Sequence, residues 1–151
     1  IVWNIGAIWK KMEFTALGDN INLTSRLESV NKYYGTYICV SEKVYLSAKD
    51  FFNFRYLDTI QVQGKDVPVK IYELVEKFRE LTFEEQQLES SFMDGVNLYS
   101  SWNFSDAKDI FEGLVEQKGD IPSKTYIERC KYFLENPPWD DWQWIWRMTK
   151  K

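Results

Sequence analysis

Apolar and polar positions change their period twice along this chain. Over residues 1–5 and 12–17 they partly alternate, with frequent β-branched and aromatic side chains, which predicts two short strands with Gly6 to Lys11 turning between them. Gly18 and Asp19 end the second strand, and Asp19 suits a helix N-cap. Leu23, Leu27, Val30 and Tyr34 then recur at i, i+4, i+7 and i+11, the stripe of an amphipathic helix, with Gly35 as its C-cap. Tyr37 to Val40 reads as a short strand, and Ser41 as the N-cap of a short helix running to about Ala48. Phe52–Ile60 and Val67–Val75 read as two more strands, joined by a hairpin at Gln63–Asp66. Residues 1–75 thus run β-β-α-β-α-β-β, an α/β (α+β) pattern.

The pattern shifts near Glu76, where strand spacing gives way to a stretch rich in Glu, Gln and Lys. From Thr82 to about Glu135 the apolar period is helical. Phe92, Val96 and Tyr99 form one stripe; Ala107, Phe111 and Leu114 form a second, after an expected N-cap at Ser105. Ile121, Pro122 and Ser123 open a third helix carrying Tyr126, Ile127, Cys130 and Phe133. Gly95 and Ala107 are small enough to let two helices of a hairpin cross closely. The segment loosely resembles a tetratricopeptide-type unit, and a single such unit must lean on something else to bury its faces. After Pro137 and Pro138, the alternation of Trp142, Trp144 and Trp146 has strand spacing, and their rings are expected to pack the helices against the rest. Two parts are expected, residues 1–76 and residues 77–151.

Composition narrows the chemistry. The chain of 151 residues is 44% hydrophobic and 28% charged, with a formal net charge of −4 and acids and bases interspersed, so no nucleic-acid surface is expected. The absence of histidine removes His-based catalysis and Cys/His zinc sites from this chain. Cys39 and Cys130 are expected to be reduced and buried. Nothing resembles a membrane span or signal peptide, and a cytoplasmic location is expected, with a parent protein that could itself be anchored. The opening Ile1-Val2-Trp3 reads as mid-strand, as in a piece of a longer polypeptide.

Asn22 and Arg26 stand four apart and share a helix face beside the apolar stripe. Arginine presents a fork of donors suited to phosphate, and an amide can orient a ribose or a phosphate oxygen. Lys65, beside Gly64, could supply a second cation. By pattern alone the solvated-face reading of the pair wins, with Arg26 equally able to pair with Glu28, Asp19 or solvent.

Residues 4–36 resemble the corresponding stretch of class III adenylate/guanylate cyclase catalytic domains. The motifs that carry the resemblance are Asn4-Ile5-Gly6, then Glu13-Phe14-Thr15, then Gly18-Asp19 with Asn22 and Arg26-Leu27-Glu28. The likeness continues through Tyr34–Tyr45 and Phe52–Leu74, about half of the chain. The tail, with Pro137-Pro138-Trp139-Asp140, is similar to an extension that follows the cyclase domain in some bacterial members, although Asp141 stands where a glycine is expected.

The resemblance implies the C-terminal part of a ferredoxin-like cyclase domain, and an adenylate cyclase as the parent protein. It assigns Asn22 to orienting the ribose and Arg26 to the charge developing on the transferred phosphate. Thr15 falls where the family reads the purine, and favours ATP over GTP; Lys65 matches a phosphate-contacting lysine. The family's two Mg²⁺ or Mn²⁺ ions are held by aspartates upstream of this stretch, so no metal ligand is expected on this chain, and Asp19 keeps its N-cap role. Family members build each site from two cyclase domains of a homodimer. The fragment alone is therefore expected to be inactive and to expose an unpaired sheet edge. The competing readings are a non-catalytic cyclase-like dimerisation or regulatory module with a protein partner on the helical tail, and a helical adaptor, which leaves residues 1–75 unexplained.

Overall fold

The computed structural model describes residues 2–5, 13–16, 29–62, 67–139 and 142–148. Val2–Ile5 (β1) and Glu13–Ala16 (β2) pair antiparallel, with Trp3 opposite Thr15. A helix described over 29–34 (α1) ends at Gly35, whose φ of 67° is the left-handed conformation expected of the C-cap. The buried Val30 and Tyr34 are the described end of its predicted stripe; Leu23 and Leu27 lie outside the described residues.

Cys39–Ser41 (β3), Phe52–Val62 (β4), Val69–Lys77 (β5) and Trp146–Met148 (β6) form one sheet in the order β3-β5-β4-β6, antiparallel except for the β4–β6 pair. β3 starts two residues later than the sequence predicts. Tyr37 is exposed and outside the strand, although the Ile38 carbonyl still accepts from Leu74 N at 2.9 Å. Glu42–Ala48 (α2) follows Ser41, whose backbone is extended as an N-cap requires but whose hydroxyl makes no cap bond. Tyr45 of α2 stacks on Tyr72 at 4.1 Å and meets Phe54 edge-on, covering one face of the sheet. The Gln63–Asp66 hairpin lies outside the described residues.

The other face carries Phe83–Ser100 (α3), Phe104–Lys118 (α4) and Ile121–Glu135 (α5). Thr82 and Glu85 close α3 with a reciprocal capping box. The connection before it is tied down by Asn53 Nδ2 donating to the Arg79 carbonyl at 3.0 Å. α4 begins two residues earlier than a Ser105 cap would place it: Asn103 is the N-cap, and Ser105 lies in the first turn. Its C-terminus closes on Gly119 at φ 66°, and Asp120 immediately caps α5 by accepting from Ser123 N.

All three predicted helix stripes are buried and meet in one core with Leu57, Ile60 and Ile71 of the sheet. Phe111 stacks on Tyr126 at 4.7 Å, with Phe92 edge-on to both. The helices lean on β4, the support that an isolated helical unit lacks. The core therefore continues across the change of composition near Glu76.

The Trp-rich end departs from its predicted spacing. Trp144 has φ 56°, incompatible with an extended strand, so only Trp146–Met148 joins β4. Trp142 instead turns onto Tyr99, Phe104 and Phe133, and Trp146 meets Phe133, so these two rings pack as expected. Both cysteines are free and buried, and burial pushes each thiol up to about 12. No helix among the described residues is long and apolar enough to cross a membrane.

The α3–α4 crossing gives a direct test. A Cβ added to Gly95 would sit 2.8 Å from the ring of Phe111, which is fully buried. Gly95→Val is expected to destabilise the fold by about 1–3 kcal/mol through overpacking. A lowered urea midpoint with unchanged slope would record it.

Candidate functional site

Thr15 lies in β2, but its side chain, and Asn22, Arg26 and Lys65 altogether, lie outside the described residues. The structure does describe the elements that lead to them: the end of α1, and the two strands flanking the hairpin that bears Lys65. These are held by a buried polar network whose charged members, Arg55, Asp58, Asp120 and Arg129, the sequence pattern did not single out.

The network starts from an irregularity in β4. Register shifts between Tyr56 and Asp58, leaving Leu57 without a partner in the ladder with β5. In a regular strand, residues 55 and 58 would point to opposite faces, because side chains alternate. The extra residue restores them to one face. Arg55 and Asp58 consequently both enter the helical layer, and Tyr56 stays with Tyr72 on the other side. The Leu57 carbonyl accepts from Tyr126 Oη at 2.8 Å, and Asp58 Oδ1 accepts from Thr59 N at 2.7 Å.

Each of the two charges finds its opposite on α5. Arg55 donates through both terminal nitrogens to Asp120, at 2.5 and 2.9 Å. Arg129 Nη1 donates to Asp58 Oδ2 at 2.6 Å, while its Nη2 donates to Tyr34 Oη at 2.7 Å. Tyr34 in turn donates to Asp58 Oδ2 at 2.5 Å, closing a triangle among α1, β4 and α5. Burial pushes the Tyr34 phenol well above its usual range, so it keeps its proton and can donate. The Arg129 guanidinium is 1% exposed and also stacks 4.5 Å from the Trp146 ring.

Asp120 has two tasks. It caps α5, where the helix dipole favours an anion, and it receives the Arg55 fork. Burial by itself would raise its carboxyl. The Arg55 fork and the two Ser123 hydrogen bonds outweigh burial and hold it below the usual range. Burial raises Glu73 and Glu89 despite nearby Arg55.

A signal for Arg129 was present in the sequence. It lies three residues after Tyr126 and four before Phe133, inside the apolar stripe of α5, where a charge calls for a buried partner. Nothing local identified that partner, which lies 71 residues away. Among the described residues, no three Cys, Asp or Glu side chains gather as a metal site. A cavity of about 170 Å³ is lined, among the described residues, by Tyr45, Phe54, Tyr56, Tyr72, Glu89 and their neighbours.

Comparisons with known proteins agree on one activity. Adenylate cyclase 1 of Rhizobium meliloti (strain 1021) is 40% identical over 75 residues, 50% of this chain and 11% of that protein. The terminal-differentiation-specific adenylate cyclase of Dictyostelium discoideum is 32% identical over 125 residues, 80% of this chain and 6% of that protein. The adenylate cyclase of Anabaena cylindrica is 37% identical over 67 residues, 42% of this chain and 13% of that protein. The chain thus spans 6–13% of the length of these curated relatives. A match covering 80% of the chain has to run past β5 into the helical layer. No protein-family model matches the chain, and no solved structure does.

The Asp120–Arg55 pair predicts a pH signature. A carboxyl lowered by folding contributes stability that is present above its unfolded pKa, about 3.9, and is lost as pH falls through the lower folded value. Asp120→Asn keeps a capping side chain but strands the buried Arg55 charge, at a cost of about 3–5 kcal/mol at pH 7. The stability gap between wild type and variant, from urea unfolding, should narrow from about pH 5 toward pH 2. A gap constant with pH would remove the assigned role. Comparing the two proteins largely cancels the opposing titration of Glu89, whose shift does not involve Asp120.

Proposed function

We propose, for a chain that carries an adenylate cyclase catalytic-domain region, that it is the C-terminal part of a class III catalytic domain followed by a helical extension. The parent protein would convert ATP to 3′,5′-cyclic AMP and pyrophosphate in signal transduction. The observation that carries the reading is the motif Gly18-Asp19, Asn22, Arg26, standing within a chain 40% identical over 75 residues to a protein named adenylate cyclase.

In that reaction the ribose 3′-oxygen attacks the α-phosphate and pyrophosphate leaves. The protein's main contribution is a set of positioned donors where charge develops. Arg26 is the donor that meets the charge on the phosphate oxygens, and Asn22 orients the ribose. The Thr15 hydroxyl accepts from the adenine amino group, and the Lys65 ammonium contacts the phosphates. Bound Mg²⁺ or Mn²⁺ supplies charge neutralisation at the phosphates, and in this reading its ligands are not residues of this chain. The complementary half of each site comes from a second cyclase domain in a homodimer. The helical extension, as a tetratricopeptide-like surface, would remain available to a protein partner.

Two outcomes are expected. Arg26→Ala in the full-length protein should lower kcat by about 10²–10³-fold, the loss typical of one transition-state donor, with an unchanged unfolding midpoint. Retained turnover would overturn the role of Arg26 and favour a non-catalytic cyclase-like module. The purified 151-residue chain should convert no ATP above a buffer control.

A further inference from the structure

The Arg129 fork joins two elements that, in the proposed function, carry the two phosphate-facing cations. Nη2 holds Tyr34, the last described helical residue of α1, and Nη1 holds Asp58 of β4, the strand that leads to the hairpin bearing Lys65. Two further contacts clamp the same end of α1 against the start of α5. Thr125 Oγ1 donates to the Tyr33 carbonyl at 3.0 Å, and a Cβ added to Gly35 would run into Ile121. The sequence pattern predicts one helix from Asp19 to Tyr34. Over the eight residue steps from Arg26 to Tyr34, at a rise of 1.5 Å each, such a helix spans roughly 12 Å.

We infer that Arg129 is a positioning residue for the cyclase site, through which the helical extension sets where α1 stands relative to β4. This rests on the reading of Asn22, Arg26 and Lys65 given above. A buried side chain with one anchor would tether one element. A guanidinium with a separate donor for each element fixes the distance between them, because its nitrogens are rigidly spaced in a plane. Both carboxylate oxygens of Asp58 are engaged: Oδ2 takes both Arg129 and Tyr34, and Oδ1 is held by Thr59 N. A shift of α5 therefore cannot be absorbed by rotation of Asp58 without breaking a buried hydrogen bond. Catalytic geometry is sensitive to displacements of this kind, with about 1 Å enough for a hundredfold loss of rate. The Dictyostelium relative, matched over 80% of the chain, retains similarity beyond β5, as expected if the extension and the cyclase region work as one unit.

The experiment uses Tyr34→Phe, which deletes one hydroxyl, and Arg129→Lys, which keeps the charge beside Asp58 but loses the second donor nitrogen. Both are made in the full-length protein, singly and together; the lysine ammonium still has donors, but on one nitrogen, so the fixed spacing between two donor nitrogens is what the variant removes. Each single variant should lower kcat for ATP about tenfold with KM changed less than threefold. The double variant should be no slower than the worse single one, because both break the same link. Hydrogen exchange should show faster exchange in residues 22–34 of each variant and unchanged protection in α3 and α4. Unchanged exchange in residues 22–34, or full kcat in both folded variants, overturns the inference, as does a KM effect without a kcat effect. Loss of protection throughout α3–α5 also overturns it, assigning Arg129 a purely structural role. Arg26→Ala in parallel separates the two failures: if that variant keeps its turnover, the site reading fails while the exchange result still judges the coupling.

Discussion

Two buried ion pairs of opposite polarity hold this molecule together. β4 presents a cation and an anion three residues apart, Arg55 and Asp58, and α5 presents an anion at its N-cap and a cation about two and a half turns on, Asp120 and Arg129. Only one direction and one register of α5 satisfies both pairs. A shift of one turn would leave four charges unpaired in a core, where a single uncompensated charge costs about 3–5 kcal/mol. The aromatic packing of Phe92, Phe111 and Tyr126 contributes the larger apolar burial but tolerates sliding far better, since dispersion is not directional. Charge fixes the register and the rings fill it.

That arrangement depends on one extra residue. Without the bulge at Leu57, Arg55 and Asp58 could not share a face, and one of the two pairs would be lost. The bulge also frees a carbonyl that Tyr126 takes up, so the irregularity leaves no buried acceptor orphaned there. Tyr34 then brings α1 into the same network. The sheet with α1 and the three-helix layer are consequently joined by hydrogen-bonded charge, in addition to covalent connection.

Much of the fold was legible in local pattern. The stripes at Phe92, Val96, Tyr99 and at Ala107, Phe111, Leu114 are buried as spaced, and Gly35 adopts the left-handed conformation its position implied. The errors fell where local spacing is ambiguous. Ser105 and Asn103 are both good caps, and only the packing of Phe104 against Phe133 decides where α4 begins. The three tryptophans have strand spacing, but the helical core captures Trp142 and forces the backbone at Trp144 out of the strand. Asn22 and Arg26 became candidates only through ordered family motifs, since by spacing alone an amide and a cation four apart describe a solvated face.

The sequence by itself determined the elements, their inward faces and the motif that relates the chain to adenylate cyclases, because period, capping residues and motif order are written locally. Only the tertiary structure decided which charges meet. Arg55 and Asp120 are 65 residues apart, and Asp58 and Arg129 are 71 apart. Their encounter requires a bulge that no residue at Leu57 announces and a helix reversal at Gly119 that sets Asp120 against the sheet. A buried arginine in an apolar stripe tells that a partner exists; only the folded chain, by excluding water from around it, selects which one.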